Sequence, residues 1–280
     1  MTLRPDGEET ILPSLDSMFS HNEVSMALTR CGLLVEKAEM LARLYARHRD
    51  WTVVEEQWIE TRVDERSTRR SSKGIYRELS SRFKTASGDL PAIVRLPSIF
   101  NQCDTERDKA QVLYFYLLGD DPLVRYAVHQ YVHQLQTTGV EGLDFEQDTV
   151  ERILNGFHYD DGSAFDYAES TTHRWGEGFR SVMREIGVLE TQQTLKGQIP
   201  NIGTIPLLVA SGYSWETQGE DWLSQPTGWL YLFQHEQYWK SLAERLSNHP
   251  NWEASGIHGE LRLEPIDDPY DWAEPMETDA

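Results

Sequence analysis

Apolar residues recur at steps of three and four along most of the chain, the period at which a helix buries one face. Leu34, Ala38, Leu41 and Tyr45 share one side of a first segment, and Arg43, Arg47 and Arg49 fall on the other. Thr52 followed three residues later by Glu55 predicts a capping box opening a second helix, which carries Val54, Trp58 and Ile59 inward. Ile75, Leu79 and Phe83 mark a third helix, whose other face holds Arg70, Lys73, Arg77 and Lys84. Three helices ending in a basic one predict a helix-turn-helix unit, although Asp64 to Ser71 is long for its turn.

Residues 85–104, with Gly88, Pro91 and Pro97, read as a connection. Thr105 then caps a helix running through Leu118 and ending at Gly119. Asp121-Pro122 starts the next, with Asp as cap and Pro in the first turn, and Val124, Ala127, Tyr131 and Leu135 face inward. These two helices are the expected centre of a bundle. A short helix follows near Thr149 to Leu154. Ser170 or a neighbouring Thr caps a further helix with Trp175, Phe179, Met183 and Ile186 on its apolar face and Gly187 as its stop.

Val188 to Glu190, a polar turn and Gln198 to Pro200 predict a hairpin after that helix. Helix plus hairpin is the order of a winged helix, for which Arg174, Arg180, Arg184 and Lys196 would supply phosphate contacts; the alternative is a structural hairpin covering a helix end. From Ile205 the chain is apolar and then rich in aromatic residues to Trp239, in one or two helices. Leu242, Leu246 and Trp252 continue a helical face, and Ile257 to Leu263 reads as a strand. The last stretch, Glu264 to Ala280, has seven acids and no basic residue, and predicts an exposed acidic tail. The expected fold is mainly α, a helical bundle with helix-turn-helix or winged-helix-like units and a few short β-hairpin strands. Its expected divisions are a leader over 1–20, an N-terminal helical part over 21–104, a C-terminal helical part over 105–263 and the tail over 264–280.

Charge changes this picture at one place. The 280-residue chain carries a net charge of −20, yet Arg62 to Lys84 holds eight of its 26 basic side chains against three acids, a +5 island in a −25 remainder. A local reversal of sign attracts an anionic partner, and nucleic acid is the first candidate. Arg62, Arg66, Arg69, Arg70, Lys73, Arg77, Arg82 and Lys84 are the residues concerned; the alternative is a solvated helix face paired with surrounding acids. Only six of the basic residues are lysines, a composition suited to a salt-rich cytoplasm.

Candidate chemistry is sparse. Cys31 and Cys103 lie far apart without zinc-ligand spacing, and both are expected to be reduced and buried. No apolar run is long enough to span a membrane and the N-terminus lacks a secretory pattern, so a cytoplasmic protein is expected. His129 and His133 sit four apart on one helix, but Gln130 stands where a metalloprotease helix has its glutamate. No nucleophile elbow or phosphate loop is present, and Gly176 and Gly178 fall inside a helical pattern rather than after a strand. A non-enzymatic protein with no cofactor is expected.

The helix from Leu34 to Tyr45, Asp50-Trp51 opening the next, Ser67-Thr68 leading to Arg82-Phe83, the Lys109 to Leu118 helix, and the helix from Trp175 ending in Gly187-Val188-Leu189 together resemble the BrxA family. The resemblance covers roughly residues 25–263 and rests on helical patterning. It implies an accessory component of BREX bacteriophage-exclusion systems that binds double-stranded DNA beside a DNA methyltransferase, an ATPase and a phosphatase-like protein. The family is similar in part to a helical RNA-binding antitermination fold, which leaves RNA as an alternative ligand. The acidic leader and tail depart from the family.

Overall fold

In the computed structural model, residues 24, 26, 28, 32–61, 68–86, 88–257 and 260–276 are described. The expected leader, Arg62 and Arg66 lie outside them. α1 (Val35–His48) buries Ala38, Leu41, Ala42 and Ala46. α2 (Trp51–Thr61) turns Val54 and Trp58 into the core. Its cap differs from the expected one. The helix starts two residues earlier, so Asp50 is the residue beside the free amides, and its Oδ1 accepts from the Thr52 and Val53 backbone N–H at 2.7 and 3.4 Å. α3 (Arg69–Thr85) is capped by Thr68, whose side chain accepts from the Ser71 amide.

A short α4 (Leu96–Gln102) lies within the stretch expected to be a connection. α5 (Glu106–Asp120) begins with a capping box in which Thr105 and Asp108 each accept from the other's amide. It runs through Gly119, because an isolated glycine costs a helix only about 1 kcal/mol. Asp121 and Pro122 open α6 (Pro122–Thr138), where Val124, Ala127, Tyr131 and Leu135 are all buried. α5 packs against α1, α3, α6, α8 and α9. That central position explains why it is buried nearly all round, including Tyr114, Phe115 and Tyr116.

α7 (Gln147–Asn155) and α8 (Glu169–Glu185) follow. Ala168, not Ser170, stands at the start of α8, without a side-chain cap. Trp175, Phe179, Met183 and Ile186 are fully buried. Gly187 ends the helix at φ 88°, the left-handed conformation in which glycine is unstrained. α9 (Thr204–Gln218), α10 (Thr227–Tyr231) and α11 (Trp239–Ser247) complete the helices. Buried apolar side chains from Leu28 to Ala273 form one cluster that continues across position 104.

The strands differ in place from the expectation. β1 (Trp252–Ile257) and β2 (Glu260–Pro265) pair antiparallel from Trp252 opposite Pro265 to Ile257 opposite Glu260, so the stretch 257–263 expected as a single strand is divided between the two. Trp252 is in β1, packed 5.6 Å from Trp222, rather than extending a helix. At 188–200 the two legs meet where the Gln198 amide donates to Val188 O at 2.9 Å. The loop between them pairs instead with residues 143–145, through Phe145 N to Leu195 O at 2.8 Å and Gly197 N to Leu143 O at 2.7 Å.

The acidic C-terminal stretch is partly packed: Asp267, Asp268 and Asp271 are exposed as expected, but the residues interleaved with them are anchored as far as Ala273. Tyr270 and Ala273 are buried, and the Arg95 guanidinium donates to Tyr270 O, Ala273 O and Asp271 Oδ1 at 3.0, 2.8 and 2.8 Å. Charge counting misses this because the aromatic residues interleaved with the acids supply the contact.

Candidate nucleic-acid interface

The basic island resolves into residues with different roles. Arg69, Arg70 and Arg77 are exposed on α3 and form no ion pair or side-chain hydrogen bond with another described residue. Lys73, half-exposed, pairs with Glu55 of α2 at 3.3 Å. Lys84 places its Nζ 4.7 Å from the Trp51 ring centroid and 5.9 Å from that of Tyr76, a cation–π seat against α2.

Arg82 is withdrawn from the cationic face. It is only 4% exposed, and its Nη1 donates to Gly32 O and Leu33 O at 3.0 and 3.3 Å. These bonds tie the segment before α1 to α3. The residue recurs one position out of step with the exposed arginines, and a 100° rotation per residue turns it inward.

The second set divides likewise. Arg174 is exposed on α8, and Lys196 is exposed but paired with Asp144 at 2.9 Å. Arg184 is half-buried and donates from Nε to Thr191 O at 3.1 Å and from Nη2 to Gln192 O at 3.5 Å. Arg180 is buried; its Nη1 donates to Gln147 Oε1 at 3.0 Å and to Phe145 O at 3.5 Å. Gln147 and Gln192 were not singled out in the sequence, since each meets its arginine only through the fold.

The histidines are separated by burial. His133 is exposed, whereas His129 is buried with its Nε2 2.6 Å from Tyr231 Oη. Burial, with Arg125 nearby, pushes the His129 imidazole down to about 4, so it is neutral near pH 7. Among the described residues, no group of three or more His, Cys, Asp or Glu side chains is placed to hold a metal. Cys103 is half-buried and free, and burial pushes its thiol up to about 12. No helix among the described residues is long and apolar enough to cross a membrane.

A family model described as BrxA matches residues 23–209, a span that reaches from before α1 into α9 and contains both arginine groups. The chain belongs to the BrxA family. As a BrxA-family chain it falls among the accessory proteins of BREX bacteriophage-exclusion systems. α10, α11 and the β1–β2 hairpin lie beyond the matched span. The chain is also similar to the crystal structure of an uncharacterized protein from Magnetospirillum magneticum, at 13% identity and a TM-score of 0.48, over 75% of this chain and 99% of that one. No curated protein matches.

Proposed function

We propose that this BrxA-family chain is a non-enzymatic, double-stranded DNA-binding component of a BREX complex, and that α3 is its principal contact. It would work beside the system's DNA methyltransferase, ATPase and phosphatase-like protein. The observation that carries this reading is the row of exposed Arg69, Arg70 and Arg77, which pair with no other described residue, in a chain of net charge −20. Arg70 and Arg77 are about 10 Å apart along the helix axis, the span of about three phosphates of one strand.

Arginine is suited to this role because its planar guanidinium grips phosphate or a guanine edge in bidentate fashion. Geometry matters more when salt is high, since counterion release then contributes less. The test is a mobility shift with a duplex at two salt concentrations, comparing the wild type with Arg69→Glu, Arg70→Glu, Arg77→Glu combined. The variant is expected to bind at least about tenfold more weakly and with a shallower salt dependence, by roughly 0.9 in the log–log slope for each phosphate it no longer neutralises. Equal binding by the two proteins overturns the assignment to α3, and stronger binding to RNA than to duplex DNA moves the reading to RNA.

A second reading is favoured by one observation: Glu55, Glu56 and Glu60 of α2 lie on the helix that packs against α3. This mixed-charge flank also suits a protein partner, making the chain an assembly scaffold. An association with BREX components that survives nuclease but fails in the charge-reversal variant supports the scaffold.

A further inference from the structure

A cleft of about 380 Å³ lies between α8 and the loop after it, lined by Gln147, Glu177, Arg180, Arg184, Gln192 and Leu195. We propose that it is a second, separate ligand site, which binds the phosphate of a nucleotide-sized molecule between Arg180 and Arg184. This inference stands independently of the α3 reading.

Both guanidiniums are held by neutral acceptors. Arg180 is fixed by Gln147 Oε1 and Phe145 O, and Arg184 by Thr191 O and Gln192 O. Those bonds occupy Nη1 of Arg180 and Nε and Nη2 of Arg184, leaving further N–H donors on each. Neither arginine forms an ion pair with a described carboxylate. A buried cation without a close ion-pair partner is costly, and Arg180 is only 8% exposed, with Glu177 and Glu151 favouring its charge from farther off. Burial, and after it the charge of Arg184, lowers the Arg180 guanidinium from its ordinary value, so the two arginines are close enough to repel. A single anion between them relieves both penalties through charge-assisted hydrogen bonds.

Of the surrounding charges, Glu177 acts on Arg180 from an exposed position, whereas Lys196 is already paired. Glu177 is the one carboxylate lining the cleft, and its Oε1 lies 3.6 Å from His173 Nε2. Gln147 Nε2 donates to Glu151 at 2.6 Å, and Lys196 is paired with Asp144.

The two glycines inside the α8 pattern also find reasons here. A Cβ at Gly176 would stand 3.2 Å from Gln147 Oε1 and 3.5 Å from Arg180 Nη1, so glycine leaves room for the pair that fixes Arg180. Gly178 instead lets Leu28 O approach, to 2.0 Å from where a Cβ would be. The cleft volume falls in the range of small-molecule sites, of order 300–1,000 Å³, and exceeds what a phosphate alone fills. Leu195 offers an apolar wall for a base, and the Gln147 and Gln192 amides line the same space.

The experiment is isothermal titration of the full chain with deoxyadenosine monophosphate, inorganic phosphate and deoxyadenosine. The monophosphate is expected to bind, inorganic phosphate more weakly, and the nucleoside at least tenfold more weakly than the monophosphate. Arg184→Gln is expected to weaken monophosphate binding at least tenfold. Gln192→Glu, at an exposed loop position, is expected to weaken it similarly with an unchanged melting temperature, so that loss of fold is not the cause. The combined α3 reversal is expected to leave it unchanged. Absence of binding by the monophosphate at millimolar concentration, or equal affinity in wild type, Arg184→Gln and Gln192→Glu, overturns the proposal. Comparing duplexes with and without a 5′-phosphate assigns the source: a preference for the phosphorylated end that Arg184→Gln abolishes places a nucleic-acid terminus in the cleft, and no preference alongside monophosphate binding places a free nucleotide there.

Discussion

Asp121 opens α6 and is also one of the most deeply buried carboxyls among the described residues, 1% exposed. Its Oδ1 accepts from the Leu123 and Val124 amides at 3.0 and 3.1 Å, while its Oδ2 is buried without a hydrogen-bond partner among the described residues. Burial pushes the carboxyl from 3.8 up to about 7, against the pull of the Val124 amide; Asp120 raises it further, and Arg82 and the Leu123 amide lower it. The folded state therefore holds the proton more tightly than the unfolded chain. The stability this contributes is complete below about pH 4, declines as pH rises towards 7, and changes little above, with a slope of at most about 1.4 kcal/mol per pH unit. Asn at this position keeps a capping oxygen but does not titrate. Melting curves from pH 4 to 8 should show Asp121→Asn gaining on the wild type as pH rises, with the gain levelling off near pH 7. Parallel profiles would mean that Asp121 is ionised in the fold throughout.

At the scale of elements, what was legible in the sequence is what neighbours in sequence decide. Thr105 stands directly before its helix, and Asp121 and Pro122 are neighbours, and each signal predicted a helix start that is found. Arg82 and Arg180 were misplaced because their acceptors lie 49–50 and 33–35 positions away, and periodicity carries no record of such partners. The loop after α8 followed the same rule: its legs were local, but it pairs with residues 143–145. Glycines show the contrast in a measurable form. A Cβ at Gly228 of α10 would stand 2.0 Å from Ala210 O of α9, whereas one at Gly74 of α3 meets nothing within 4 Å. Gly228 also donates its amide to Ser214 Oγ at 2.8 Å, which anchors the close approach. Gly228→Ala is expected to lower unfolding stability by at least about 2 kcal/mol, and Gly74→Ala to raise it by up to about 1 kcal/mol through helix propensity. Denaturant midpoints measure both, and a stable Gly228→Ala protein would show that α9 and α10 separate at little cost.

At the scale of the whole molecule, the charge that makes α3 conspicuous also sets two effects of the C-terminal stretch against each other. Residues 266–280 hold Asp267, Asp268, Asp271, Glu274, Glu277 and Asp279, so removing them takes the net charge from −20 to −14 and lessens self-repulsion. The same removal strips Tyr270 from its seat against Gly212, where a Cβ would lie 2.6 Å from the ring, and breaks the Tyr270 Oη bond to Asp89 O at 2.5 Å. It also leaves the Arg95 guanidinium without its two carbonyls and its carboxylate. Loss of a buried aromatic side chain alone costs about 3–5 kcal/mol, whereas exposed acids separated by more than about 8 Å interact weakly at physiological salt. Packing should therefore win. A chain ending at Pro265 is expected to melt several degrees below the full chain, and Arg95→Ala by a smaller step in the same direction. The gap should persist at molar salt, where repulsion between the acids is screened. A truncated chain that melts higher at low salt, and equally at high salt, would instead show that the stretch acts on the fold through its charge.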